Sequence, residues 1–274
     1  MTPMYDLHTH CTYCDGQNTP EQMVQAAIEK GFCCIGFSSH GFTGFDTSYC
    51  MAAGAEEDYK KEVLSLREKY KGKIEIYLGC EVDYEADTGT AGYDYVIGSV
   101  HYLRTAGGYL PVDLSKEVLT TGVAQYYGGD FYAAAAAYYR SVADLWNKTH
   151  CDITGHFDLI TKYNEAGALF DESDRRYRAA ALAAADALLD RDVRFEINTG
   201  AITRGHRTVP YPAAFILRHI AERKGKIVLS GDTHAAAQLG REWKTAVDYA
   251  LSCGFKTASR LTNHGFTEFA LSAK

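Results

Sequence analysis

Two short motifs carry metal-binding side chains at a spacing of two: His8-Thr9-His10 near the amino terminus and Asp232-Thr233-His234 near the carboxyl terminus. In an extended strand, residues two apart share a face. Each motif therefore points two donors at one place, with threonine facing the other way. Four further donors end short apolar runs: His40 after Ile35-Gly36-Phe37, Glu81 after Ile76-Tyr77-Leu78, His101 after Val96-Ile97, and His156 after Ile153. Asp15 sits in the turn Asp15-Gly16, just past the first run. These nine candidates are six histidines, two aspartates and one glutamate, and only four of the ten histidines fall elsewhere. Imidazole and carboxylate without thiolate suit Zn, Fe or Mn. Nine donors exceed the need of one tetrahedral ion and suffice for two or three if a carboxylate bridges. The same set buried without metal would carry a large desolvation cost.

The elements that must position these donors are legible around them. An apolar run of this length reads as a buried strand, and a seventh run, Phe195-Glu196-Ile197-Asn198, has the same form. Helical patterns lie between the runs. The first opens at Thr19-Pro20-Glu21, with a capping hydroxyl, proline at the first helical position and an early acid, and closes at Gly31. Others cover Glu56 to Tyr70, Asp130 to Lys148, Glu172 to Asp190, Pro212 to Lys224 and Glu242 to Leu251. This alternation predicts an α/β fold, a seven-stranded parallel β/α barrel with its active site at the carboxyl ends of the strands. The length suits one domain over residues 1–274. Gly41 to Ala55 and Thr105 to Gly129 leave the carboxyl ends of two strands and are expected to overhang the site and shape substrate choice.

Composition narrows the function classes. The net charge of -7 argues against a nucleic-acid surface. No apolar stretch approaches the roughly 20 residues that span a bilayer, and the amino terminus enters a strand without a basic flank, so no export signal is expected. The eight cysteines read as reduced, buried thiols of a cytoplasmic protein. Cys11 and Cys14 form a C-x-x-C pair, but no second pair with zinc-finger spacing accompanies it.

The runs His8-Thr9-His10, Ser39-His40, Gly79-Cys80-Glu81-Val82, Gly98-Ser99-Val100-His101, Gly155-His156-Phe157-Asp158 and Gly231-Asp232-Thr233-His234 resemble, in order and over nearly the whole chain, the motifs of the polymerase and histidinol phosphatase (PHP) family. Within it, the runs around His101 and His156 look most like the monofunctional histidinol-phosphate phosphatases. The resemblance implies a distorted, TIM-like barrel of seven strands with a trinuclear centre. It assigns one ion to His8, His10, Glu81 and Asp232, a second to a bridging Glu81 with His101 and His156, and a third to Asp15, His40 and His234. Some members carry histidine where this chain has Asp15, which changes the local charge. The activity implied is hydrolysis of L-histidinol phosphate to L-histidinol and phosphate, in histidine biosynthesis, with three divalent ions (Zn, Fe or Mn) as cofactors.

Three divalent ions would outweigh the charges of Asp15, Glu81 and Asp232, so the site would be positive within an acidic protein and attract a small phosphorylated substrate. A metal-bridging hydroxide is expected to attack phosphorus in line. Asp15, His40 and His234 are candidates for managing the leaving-group proton. Arg204, in the loop after Asn198, has the fork that suits bidentate phosphate contact, and the resemblance implies a basic clamp near there. Arg207 and His206 are its rivals, and Lys162 is a second candidate phosphate contact. For the imidazole and ammonium groups of histidinol, Asp83, Tyr84, Glu85 and the pair Tyr126-Tyr127 are the candidates. His150 would complement a helix dipole, while His219 and His264 read as structural.

Three other readings remain. A phosphatase for another small monoester or a nucleotide would use the same metal core. An amidohydrolase-type C–N hydrolase also begins with H-x-H, but a bridging glutamate and a three-ion ligand count fit it poorly. A polymerase-associated module would need a basic groove that the charge does not provide. No membrane or nucleic-acid partner is expected.

Overall fold

The computed structural model describes residues 2–86 and 88–273. In chain order it contains β1 (Tyr5–Asp6), α1 (Pro20–Glu29), β2 (Cys34–Phe37), α2 (Glu56–Lys69), β3 (Glu75–Asp83), β4 (Tyr95–Ser99), β5 (Tyr102–Thr105), β6 (Gly108–Pro111), α3 (Lys116–Tyr127), α4 (Phe131–Thr149), β7 (Ile153–Thr154), α5 (Arg175–Leu189), β8 (Arg194–Asn198), α6 (Gly200–Thr203), α7 (Ala214–Glu222), β9 (Lys226–Ser230), α8 (Trp243–Ser252), β10 (Thr257–Thr262) and β11 (Gly265–Ala270). Seven strands form one parallel sheet in the order β1-β2-β3-β4-β7-β8-β9. These are the seven runs read from the sequence. A parallel bridge between Thr9 and Thr233, just beyond β1 and β9, draws the two edges together. The sheet is thus a nearly closed β/α barrel.

Local chemistry sets the helix limits. Thr19 and Gln22 form a reciprocal capping box ahead of Pro20, and Gly31 takes the left-handed conformation (φ 75°) after the last turn. Acids open α2 and Arg67 and Lys69 close it, matching the helix dipole. Asp130 and Asp174 cap α4 and α5 through backbone N–H groups. His150 ends α4 in the left-handed region (φ 51°), with its ring edge-on to Trp146.

The strands beneath the site are locked by one aromatic residue. Tyr95 on β4 is buried and its hydroxyl donates to the Leu7 carbonyl just past β1, at 2.5 Å. The ring fits because Gly36 and Gly79 have no side chain: a Cβ on Gly79 would lie 2.3 Å from the Tyr95 ring. β10 and β11 form an antiparallel hairpin packed beside β9. Tyr5 donates to the Ser259 carbonyl (2.7 Å) and meets Trp243 and Phe269 edge-on, which ties this hairpin to the foot of β1.

The segment 105–129 is more ordered than its composition implies. It completes the β5–β6 hairpin and contains α3, capped by Ser115. Residues 41–55 hold no helix or strand. All eight cysteines are free, six of them buried. Of the adjacent Cys33 and Cys34, the first lies just before β2 and is partly exposed, and the second, within β2, is buried. Among the described residues, no helix is long and apolar enough to cross a membrane.

Candidate metal centre

The bridge that closes the barrel also builds the site. Thr9 and Thr233 pair in register, and the N–H groups of His10 and Thr233 bond the Thr233 and His8 carbonyls at 2.9 Å. Both threonine hydroxyls turn outward, to the Gly36 carbonyl and to Asp6. Their neighbours His8, His10, Asp232 and His234 therefore point inward from two adjacent strand ends. A second bridge pairs His40 with Glu81. Asp232 adopts φ 47°, a conformation that costs a non-glycine residue energy and collects at functional sites.

Glu81 is the centre of the arrangement. It is buried, and its two oxygens face different imidazoles. Oε2 lies 3.0 Å from His8 Nε2, 3.4 Å from His10 Nε2 and 3.1 Å from His40 Nδ1. Oε1 lies 3.1 Å from His156 Nε2 and 3.6 Å from His101 Nε2, and accepts from Ser99 at 2.6 Å. Asp232 Oδ1 stands 3.5 Å from both His10 Nε2 and His234 Nδ1. Asp15, its side chain 35% exposed, reaches His234 Nε2 at 3.3 Å and His10 and His40 at 3.8 Å. The nine residues fall into overlapping groups with ligand-competent geometry: His8, His10 and Asp232; His8, Glu81 and His156; His40, Glu81 and His101; and His10, Asp15, His40 and His234.

The electrostatics keep these carboxylates ionised. Burial opposes ionisation of Glu81, but His8, His40 and His156 outweigh it and hold the pKa well below the ordinary value. Asp232 behaves alike, burial being offset by Arg204 and His8. Burial, with His234 and His40 nearby, pushes His10 down to about 3. Its Nε2 is buried without a hydrogen-bond partner among the described residues, although two carboxylates face it. A lone pair aimed at ionised oxygens, in a pocket of imidazoles, is a donor set that a divalent cation satisfies. The residues present fit a metal centre.

Three acids lie behind the donors. Glu196 on β8 is fully buried, and its oxygens accept from His8 Nδ1 (2.5 Å), Ser230 Oγ (2.5 Å), the His156 N–H (2.6 Å) and Asn198 Nδ2 (2.9 Å). Against this carboxylate, Nδ1 would keep the His8 proton and leave Nε2 available to a metal. Asp83 accepts from the His101 N–H at 2.9 Å and faces His101 Nδ1 at 3.1 Å. Asp6 accepts from the N–H groups of His8 and Gly231, and burial pushes its pKa up to about 7. Sequence reading missed Glu196. Its signal was present: Glu196 and Asn198 alternate with Phe195 and Ile197, so both polar residues face the barrel interior.

A cavity of about 420 Å³ opens above the cluster. Residues 41–55 contribute Asp46, Ser48 and Tyr49, and 105–129 contributes Pro111, Asp113 and Leu114, so both segments do overhang the site. Arg204 lines the cavity and straddles Asp232, donating to its Oδ2 (2.9 Å) and its carbonyl (2.8 Å). Lys162 lines it too, with its ammonium on Asp113. Tyr211 is in the same wall, and its buried hydroxyl has no hydrogen-bond partner among the described residues.

Several expectations need correction. Arg207 does not line the cavity. Its guanidinium is buried on the Thr161 carbonyl and hydroxyl, against Tyr211 and near the buried Asp158, whose charge it offsets. Asp83 holds His101 instead of facing the substrate space. Tyr84 bonds Asp144, and Tyr126 packs over Gly107; neither they nor Glu85 and Tyr127 line the cavity. His264 is exposed in the turn of the terminal hairpin, where its N–H donates to the Thr262 hydroxyl (3.2 Å), while His219 pairs with Asp186 at 2.8 Å.

The chain is similar to known proteins. A family model described as the PHP domain matches residues 6–200. A probable histidinol-phosphatase of Deinococcus radiodurans is 28% identical over 270 residues, covering 94% of this chain and 97% of the relative. The histidinol-phosphatase of Bacillus subtilis is 27% identical over 268 residues, covering 89% and 98%. A solved structure from Listeria monocytogenes, named as a candidate histidinol phosphatase, has a TM-score of 0.76 at 25% identity, covering 88% of this chain and 99% of that one. A Lactococcus lactis histidinol phosphate phosphatase, complexed with zinc, L-histidinol and phosphate, has a TM-score of 0.66 at 21% identity, covering 96% and 98%. At that identity the likeness is one of fold.

Proposed function

The chain belongs to the PHP domain family, and from that premise we propose that it is a metal-dependent phosphatase converting L-histidinol phosphate to L-histidinol and phosphate. The observation that carries this reading is the convergence of six imidazoles and two further carboxylates around Glu81 at the floor of one cavity. The names of the relatives and the ligands of the Lactococcus structure support the substrate.

Three ions are proposed. His8, His10 and Asp232 with Glu81 would hold one, Glu81 with His101 and His156 a second, and Asp15, His40 and His234 a third. The opposed faces of Glu81 support its shared role, since Oε2 meets the first set and Oε1 the second. Bound divalent ions supply Lewis-acid charge to a phosphoryl group and acidify water. Zn, Fe and Mn all suit the donors.

The chain's own residues do the rest. Arg204, anchored on Asp232, offers its remaining guanidinium N–H groups to phosphate oxygens across the cavity. Burial keeps the Tyr211 phenol far above its ordinary pKa, so it stays protonated and can only donate to an anionic oxygen. Lys162 adds positive charge farther out. Asp15, His40 and His234 form the ligand group nearest the rim, where a leaving alkoxide would take its proton. The glutamate at the shared position favours this chemistry over C–N hydrolysis built on a carboxylated lysine.

Steady-state kinetics of the metal-loaded enzyme test the substrate. Histidinol phosphate is expected to give a kcat/KM at least about a hundredfold above that of p-nitrophenyl phosphate. Equal values would refute the assignment and leave a general phosphomonoesterase.

A further inference from the structure

The outer half of the cavity holds charge that a phosphate alone does not need. Two carboxylates, Asp46 and Asp113, line it without belonging to the metal cluster. Asp46 is fully engaged: Ser48 donates its N–H (3.0 Å) and hydroxyl (2.6 Å) to Oδ1, and Tyr102 donates to Oδ2 (2.7 Å). It shapes the 41–55 loop and fixes the Tyr102 ring.

Asp113 is different. It lies between β6 and α3, on the overhanging segment. Lys162 donates to its Oδ2 (3.2 Å) and its main-chain carbonyl (2.8 Å), and Tyr163 donates to the same carbonyl (2.6 Å). No hydrogen bond among the described residues reaches Oδ1. Burial opposes ionisation, but Lys162 and His101 lower the pKa overall, so the group is an anion.

A carboxylate in this wall weakens the attraction of the site for phosphate dianions in general. Beyond its pair with Lys162, it suits a substrate that brings a positive charge of its own, and it disfavours esters bearing further negative groups. We propose that Asp113 is the specificity residue of the cavity, binding the ammonium group of an amino-alkyl phosphate ester through its open oxygen. This inference rests on the proposed function and names how its substrate is selected.

The test is a cycle of four kcat/KM values. Wild type and Asp113→Asn are each assayed with histidinol phosphate and with its des-amino counterpart, 3-(imidazol-4-yl)propyl phosphate. Wild type is expected to prefer the aminated ester by roughly 10- to 100-fold, the range of a hydrogen bond to a charged group. In Asp113→Asn that preference collapses, while Asp113→Glu, which keeps the charge, retains most of it. The preference rather than the absolute rate is the readout, so a loss common to both esters does not count as support. A wild type that treats the esters alike, an Asp113→Asn enzyme that keeps the preference, or an equal loss on both esters overturns this inference alone. A wild type that hydrolyses p-nitrophenyl phosphate but neither imidazole ester overturns the proposed function and this inference with it.

Discussion

Glu81→Gln is expected to lower kcat by about a thousandfold or more, the scale on which metal-assisted hydrolysis depends on its cluster. The two Glu81 oxygens serve different imidazole sets, His8, His10 and His40 on one side and His101 and His156 on the other. An amide of the same shape keeps one oxygen and puts an NH₂ group against the other set. It also removes the carboxylate whose two oxygens face two of the proposed ligand sets. The loss should therefore appear in metal content as well as in rate, and elemental analysis of the purified variant is the second measurement. A variant with wild-type kcat and wild-type metal content would remove Glu81 from the centre.

Glu196→Gln tests the layer behind the ligands and should act on activity and stability together. Every proposed ligand survives this change. What is lost is an acceptor for four donors: His8 Nδ1, Ser230 Oγ, the His156 N–H and Asn198 Nδ2. Burial works against ionisation of Glu196, but His8 overcomes it and holds the pKa low, so all four donors face an anion. Glutamine presents one oxygen, leaving two of the donors against an NH₂ group. Buried donors left unpaired cost about 1–3 kcal/mol each, so a stability loss of about 2–5 kcal/mol is expected in urea unfolding of the metal-free protein. The His8 tautomer is no longer fixed, and outer-layer changes of this kind cost roughly 10–100-fold in metal affinity or activity. Added metal should restore part of the activity but none of the metal-free stability. A variant unchanged in both would show that Glu196 does not orient His8.

The difference between these two acids shows what the sequence could and could not convey. The candidate ligands were legible because a period of two is rigid: His8 and His10, or Asp232 and His234, must share a face if they lie in extended chain. The barrel was legible for the same reason, each donor ending an apolar run. Glu196 obeys that rule with Asn198, yet its role depends on which neighbour it meets across the sheet, and strand pairing is not written in one strand. Arg204 and Arg207 show the limit in loops. They are three residues apart with the same side chain, but one lies on Asp232 in the cavity and the other is buried on Thr161. No periodicity distinguishes them. Asp83 was read as a substrate contact and instead supports His101, because β3 continues past Glu81 and keeps its side chains inside the barrel. The β5–β6 and β10–β11 hairpins and α3 escaped notice because their Gly- and Thr-rich sequences carry little local preference, and tertiary packing decides them.

The central claim is that phosphate-ester hydrolysis here depends on a shared cluster of divalent ions organised by Glu81. Stepwise addition of Zn or Mn to the chelated protein, with bound metal and histidinol phosphate turnover measured on the same samples, addresses it most directly. The proposal predicts no turnover in the chelated protein and a rate that reaches its plateau only as binding approaches three ions per chain. Full turnover by the metal-free protein, or a plateau reached at a single bound ion, would contradict it.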